Sequence, residues 1–316
     1  MSAPTTLRDQ IESCELPHLA FVKHERALAR RLDDAMAGRP AASEWVIGPS
    51  RVGKSMLINT LARRYPETRE AGARHVPLVV VPVPSPVTPK EMPRSVISAL
   101  GMPNVRGNSG DLFDRMKRLL EIAQTKAILF EEASHIVEIG TRLPSRAAGD
   151  WFKSLMDRLG ITIILFGVPR LEKLYASNDQ LRRRSQTRRE FRPYDYMDTE
   201  ERKHFAVCVQ TYVAMFATVG YRFAIDFEML VKHCYLLSGG LIGVLSAFVI
   251  RLAYDLELQT ITVITFDACA ASLSMVEAAG HPACPAFLRR EVSAVELNQA
   301  YAFVMRDAGL PMRRPE

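Results

Sequence analysis

Residues 48 to 55 read Gly-Pro-Ser-Arg-Val-Gly-Lys-Ser, a complete G-x-x-x-x-G-K-[ST] loop. A chain that carries it is confined to folds in which a strand runs into a phosphate cradle and the cradle into a helix. Glycine at both ends lets the loop turn its backbone N–H groups inward around a polyphosphate, while Lys54 reaches the terminal phosphates and the Ser55 hydroxyl coordinates Mg2+. The helix that begins there adds the positive end of its dipole. The flanks agree: Trp45, Val46 and Ile47 form an apolar run upstream, and Met56, Leu57, Ile58, Leu61 and Ala62 recur downstream at helical spacing. Gly48, Pro49, Ser50, Arg51, Val52, Gly53, Lys54, Ser55 and Met56 are therefore the expected nucleotide contacts.

The 316 residues are 48% hydrophobic, enough for one large or two modest cores. No apolar stretch reaches the length of a membrane span, because even residues 236–258 are broken by Ser238, Gly239, Gly240, Arg251 and Asp255. Residues 1–9 hold no apolar signal segment, so a cytoplasmic location without membrane attachment is expected. Cys14, Cys208, Cys234, Cys269 and Cys284 are scattered without C-x-x-C spacing, which argues against a disulfide framework or a zinc site. The formal net charge of +6 favours an anionic partner, and arginine concentrates at Arg182, Arg183, Arg184, Arg188, Arg189 and Arg192, with a smaller group at Arg313 and Arg314.

Along the chain, residues 8–37 read as helical, with Leu28, Leu32 and Met36 four apart. Further strands are expected at 76–83, 127–130 and 161–166, each continuous enough in apolar residues to suit a parallel sheet. Helices are expected at 89–100, 110–124 and 147–159, the last with Trp151, Leu155 and Leu159 on one face. From Thr199 the pattern is helices alone, at 199–219, 226–237, 240–258, 265–278 and 293–308. The expected organisation is an N-terminal helical segment (1–37), an α/β phosphate-loop core with a parallel sheet flanked by helices (38–197), a smaller all-helical lid (198–290), and a C-terminal helix with a basic tail (291–316).

A phosphate loop binds; hydrolysis needs a carboxylate for the magnesium shell and another to orient the attacking water. Ile128-Leu129-Phe130-Glu131-Glu132 supplies both at the end of an apolar strand, where ligands of open α/β sheets gather. Glu131 is expected at the metal and Glu132 at the water. Two solvated acids at a strand end are the plain alternative. One strand lies between the loop and Glu131 and another follows, the order expected when a strand is inserted beside the phosphate-loop strand. An arginine from a neighbouring subunit completes such sites, and Arg182, Arg183 and Arg184 are the candidates; a solvated basic face or a nucleic-acid contact is the alternative use of this cluster.

Residues 46–55, the helix beginning Trp151-Phe152-Lys153-Ser154-Leu155 with the strand Gly160 to Pro169, and Ser238-Gly239-Gly240-Leu241-Ile242-Gly243 together resemble the AAA+ ATPases, more narrowly the TniB and TnsC family of DNA transposition regulators. The resemblance implies a protein that binds ATP and Mg2+, assembles as a homo-oligomeric ring or filament on double-stranded DNA, and links a target, with its target-selection protein, to a DDE-type transposase. It makes 48–55 the Walker A loop, Glu131 and Glu132 the Walker B pair, and one of Arg182 to Arg184 the trans-acting arginine. It also places Lys90, Arg94, Arg106, Arg142 and Arg146 on loops that face DNA, where phosphate contacts need only a basic surface. The chain departs from the family pattern in three respects. Glu131 stands where Asp is usual, Val168 where a polar sensor is usual, and Leu241 and Ile242 where a sensor arginine occurs, all of which favour binding over fast turnover.

Two other readings fit the loop. A phosphate-loop kinase acting on a small acceptor would need phosphate-clamping arginines on a mobile lid within the core, whereas long helices follow the core here. A signalling NTPase switch acting through protein partners would form ATP-dependent oligomers regardless of DNA.

Overall fold

A computed structural model of the chain describes residues 6–14, 16, 18–138, 140–258 and 261–312; Arg313 and Arg314 of the basic tail lie outside them. Five strands form one parallel sheet: β1 (Ser43–Ile47), β2 (Leu78–Pro82), β3 (Ala127–Glu131), β4 (Thr162–Gly167) and β5 (Ser185–Glu190), in the order β2-β3-β4-β1-β5. Ala127 to Phe130 and Ile163 to Phe166 are wholly buried, as continuous apolar runs must be when helices cover both faces of a parallel sheet. The inserted strand expected beside the loop strand is β4. It pairs with β1 (Trp45 with Leu165, Ile47 with Gly167) and with β3 (Phe130 with Leu165), so β1 and β3 end at a common carboxyl edge.

The helices associated with this sheet are α2 (Leu19–Met36), α3 (Lys54–Arg64), α4 (Glu91–Ala99), α5 (Ser109–Ile122), α6 (Ser145–Leu159), α7 (Glu172–Ser177) and α8 (Asp179–Arg184), all preceded by α1 (Leu7–Ser13). The N-terminal helical segment consists of two helices, α1 and α2, and Leu28 and Leu32 of the second are fully buried. The strand expected at 76–83 is confined to Leu78–Pro82, with a short hairpin ahead of it (Thr68–Glu70 with Ala73–His75). In α6 the buried stripe is Ala148, Phe152, Leu155 and Met156, rotated from the expected Trp151, Leu155 and Leu159. Ala148 and Gly149 set that phase, because a Cβ on Gly149 would collide with Asn178, whose side chain caps α8 through the N–H of Leu181.

β5 was not expected at all. Ser185-Gln-Thr-Arg-Arg-Glu190 has no apolar alternation, yet it pairs with β1 along its length. Its anchor is electrostatic. Glu44 on β1 is 1% exposed and accepts from Arg31 Nε at 2.9 Å and from Arg189 Nε at 2.8 Å. A buried carboxylate is tolerable only when paired and hydrogen-bonded, and two guanidinium groups meet that requirement.

The second compact unit comprises Met1–Val22, Pro49–Gly53 and Arg192–Glu316; the first comprises Lys23–Gly48 and Lys54–Phe191. In the second, α9 (Thr199–Thr218), α10 (Phe227–Ser238), α11 (Ile242–Glu257), α12 (Phe266–Leu273) and α13 (Ala294–Asp307) enclose Phe205, Tyr235, Phe248 and Tyr301. The expectation of helices alone is corrected in one place: Arg222–Phe223 pairs in parallel with Val263–Ile264. Two-residue strands carry no readable periodicity. α12 also stops at Leu273, short of the expected 278. No single helix among the described residues is long and apolar enough to cross a membrane.

Candidate nucleotide site

β1 ends at Ile47 and α3 starts at Lys54, so the octapeptide is the strand-to-helix connection that its chemistry requires. Two of its residues adopt positive φ, Arg51 at 62° and Gly53 at 115°. The second lies in a region that only glycine enters freely. The N–H of Gly48 donates to the carbonyl of Gly167 at 3.1 Å, tying the start of the loop to the end of β4.

Lys54 is 8% exposed, and its Nζ donates to the carbonyl of Gly48 at 2.9 Å. Burial lowers its pKa to about 8, against the opposing pull of Glu132 and then Glu131. An ammonium held in this way gains from an anion brought to it. One helical position on, Ser55 Oγ lies 2.5 Å from Glu131 Oε1. This contact brings together the two residues that the sequence names as magnesium ligands. Among the described residues no group of three or more His, Cys, Asp or Glu side chains forms a metal cluster. Magnesium takes most of its octahedron from water and substrate phosphates, so one hydroxyl and one carboxylate are the protein oxygens it needs, and the donor set fits.

Glu131 is the last residue of β3 and is half-buried, while Glu132 is exposed with φ 54° and ψ 36°. That left-handed residue turns the chain from the strand into a 3-10 turn over Ala133–Val137. The turn also meets the residue that follows β4. The backbone N–H of Val168 donates to Ser134 Oγ at 3.0 Å, and a Cβ on Gly167 would come within 2.8 Å of the same oxygen. Ser134, unnoticed in the sequence, joins the ends of β3 and β4. Leu241 caps α11 without a side-chain hydrogen bond and, like Ile242, is buried.

The arginine cluster divides by role. Arg182, Arg183 and Arg184 form the exposed last turn of α8. Arg182 pairs with Asp179 at 2.8 Å and Arg184 with Asp157 at 2.6 Å, whereas Arg183 makes no ion pair among the described residues. Arg188 lies over the Trp45 ring and pairs with Glu172 and Glu190, and Arg189 is the Glu44 partner. Of the residues expected at DNA, Lys90, Arg106, Arg142 and Arg146 are exposed. Arg94 is half-buried, donates from Nε to the Val105 carbonyl at 3.2 Å and pairs with Glu91. The segment at Arg142 is fastened to the one before Lys90 by its own N–H, which donates to the Val87 carbonyl at 2.9 Å, and by Thr141 Oγ1, which donates to the same oxygen at 3.1 Å.

The loop's middle residues, 49–53, have partners of their own in the second unit. The carbonyl of Arg51 accepts the N–H of Gly243 at 2.9 Å, and its guanidinium meets the Glu277 carboxylate at 3.2 Å. Neither partner is suggested by the loop sequence.

Solved structures share this architecture. The chain superposes on the Aeropyrum pernix ORC2 protein, solved as ADPNP-ADP complexes, with TM-score 0.61 and 13% identity over 84% of this chain and 71% of that one. The Aeropyrum pernix ORC1 protein, solved in complex with DNA, gives 0.60 and 14% over 84% and 68%. CDC6P from Pyrobaculum aerophilum gives 0.58 and 12% over 95% and 83%. At these identities the likeness is one of fold, the AAA+ fold. No curated protein matches the sequence. Residues 18–192, which run from α2 through all five strands, match the model of the bacterial TniB protein family. With more than half of its length covered by that match, and with the AAA+ fold around a complete phosphate loop, the chain belongs to the bacterial TniB family.

Proposed function

We propose that the protein is an ATP-dependent, DNA-binding oligomer that regulates DNA transposition in the cytoplasm, linking target DNA and a target-selection protein to a DDE-type transposase. The observation that carries the nucleotide part is the meeting of Ser55 and Glu131 beside the buried Lys54. Membership of the TniB family supports the transposition role, and the DNA complex of the ORC1 relative supports the duplex as ligand.

Residues 48–56 hold the triphosphate: the loop amides and Lys54 match its charge, and the amino end of α3 adds its dipole. Ser55 and Glu131 hold Mg2+, which when bound supplies charge neutralisation on the phosphates. Glu132 orients the attacking water and accepts its proton, and an exposed arginine at the end of α8, Arg183, reaches a neighbouring subunit. Glu131 is longer than the usual Asp and Val168 offers the phosphate no side-chain hydrogen bond, so turnover is slow and the ATP state is long-lived. Lys90, Arg106, Arg142 and Arg146, with Arg94 engaged locally, present charge to the duplex backbone.

The experiment is binding of long duplex DNA with and without ATP, read by electron microscopy and by fluorescence anisotropy, for wild type and Lys54→Ala. Wild type is expected to form ATP-dependent assemblies on DNA, and Lys54→Ala to lose ATP binding and assembly together. Unchanged assembly by the variant overturns the reading; ATP-dependent oligomers indifferent to DNA would establish a protein-directed switch in its place.

A further inference from the structure

The glycines of Ser238-Gly239-Gly240-Leu241-Ile242-Gly243 each face a different element of the second unit. Gly239, with φ 56°, abuts Ala300 and Val304 of α13. Gly240, with φ 86°, abuts the backbone of Tyr194, whose N–H donates to the Gly240 carbonyl at 3.1 Å. Gly243, in the first turn of α11, abuts the phosphate loop: a Cβ there would stand 2.5 Å from the Arg51 carbonyl oxygen and 3.1 Å from its carbon. The obstacle is backbone, so no rotamer relieves it.

That same oxygen accepts the Gly243 N–H, one of the amides at a helix start that have no partner within the helix. Arg51 is a non-glycine residue at φ 62°, a conformation that surrounding contacts must hold. Its side chain is gripped at the other end, where Nη2 meets Glu277 Oε2 at 3.2 Å and Nη1 donates to the Glu277 carbonyl at 3.5 Å. Glu277 itself is 84% exposed and lies beyond the end of α12.

We propose that Gly243 and Glu277 are positioning residues for the phosphate loop: they fix the backbone of Arg51 from the helical unit, so that the grip on a nucleoside triphosphate is set by that unit as well as by the loop. The inference rests on the nucleotide-binding role of residues 48–56. Coupling of this kind is reciprocal. Triphosphate binding must therefore slow exchange of the Gly243 amide by the same free energy with which the Gly243 contact tightens binding.

The test uses the full chain and Mg-ATP. Calorimetry on wild type comes first, because absence of binding removes the nucleotide reading itself and this inference with it. Given binding, Gly243→Ala is expected to weaken affinity about tenfold or more, a change worth about 1.4 kcal/mol per decade. Glu277→Gln, which removes an exposed pair, is expected to weaken it about twofold to fivefold, with the difference fading at high salt. Thermal midpoints without nucleotide report folding, so a variant with a normal midpoint and weakened binding supports positioning. Should Gly243→Ala fail to fold, hydrogen exchange of wild type across 238–245 decides: slower exchange on adding ATP supports the inference. Wild-type affinity in both variants, or ATP binding with no change in exchange there, overturns it while leaving nucleotide binding intact.

Discussion

At the scale of single residues, the most consequential group is the ammonium of Lys54. Its pKa, lowered to about 8 by burial, sits well below the lysine reference value, so part of the population is neutral in mildly basic solution before any phosphate arrives. A bound triphosphate favours the charged form and raises the value again, so a proton must enter with the nucleotide wherever the free amine has lost one. Below about pH 7 the amine is charged in both states and no proton moves. At pH 8 about half a proton is taken up per nucleotide bound, and affinity falls as pH rises further, by at most about tenfold per unit. Calorimetry at pH 8 in Tris and in HEPES, whose ionisation heats differ, reads this directly. Equal enthalpies in the two buffers would show that Lys54 is fully charged beforehand. The octapeptide made the presence of this lysine legible, but its lowered pKa was not, since burial of the side chain against the Gly48 carbonyl is a property of packing. Gly243 and Glu277 were hidden for the same reason: they meet Arg51 across more than 190 residues of chain, and no local pattern records such a meeting.

At the scale of elements, what the sequence disclosed tracks how each element is stabilised. β2, β3 and β4 are held by apolar burial, and their runs of valine, isoleucine and leucine announce it. The loop between β1 and α3 is announced by its phosphate chemistry, and Glu131 and Glu132 by their place at the end of β3. β5 is held by backbone pairing at the sheet edge and by Arg189 on Glu44, and neither leaves an apolar signature. The same arginine run that suggested a nucleic-acid face is thus partly structural. The Glu44 pairing carries a measurable consequence. Glu44→Gln keeps the shape but removes the charge that two half-buried guanidinium groups share, and breaking a buried pair from one side costs on the order of 3 kcal/mol. Urea unfolding of the variant is expected to show that loss, and the further substitution Arg189→Met to recover part of it by removing an uncompensated cation. A loss below about 0.5 kcal/mol, the range of surface changes, would mean that β5 is secured by backbone pairing alone.

At the scale of the whole assembly, the proposed division of labour places the water-orienting carboxylate and the phosphate-neutralising arginine on different subunits. Arg183 is the candidate because its neighbours Arg182 and Arg184 are paired with Asp179 and Asp157, whereas Arg183 makes no ion pair among the described residues. In the proposed assembly, head-to-tail contacts would build rings or filaments in which every interface joins one subunit's Glu132 to the next subunit's Arg183. Glu132→Gln alone is expected to bind ATP, hydrolyse it slowly and stay longer on duplex DNA; Arg183→Ala alone is expected to keep monomer nucleotide affinity and lose DNA-stimulated hydrolysis. Mixing the two inactive variants in equal amounts discriminates between arrangements. If the arginine acts on its neighbour, about a quarter of the interfaces in a random mixture pair an intact Glu132 with an intact Arg183, and roughly that share of wild-type turnover returns. If the arginine serves its own subunit's site, no arrangement of the mixture restores a complete site and turnover stays at the level of the separate variants. A mixture that recovers nothing while still assembling on DNA would therefore remove Arg183 from the trans role and leave Glu132 in place.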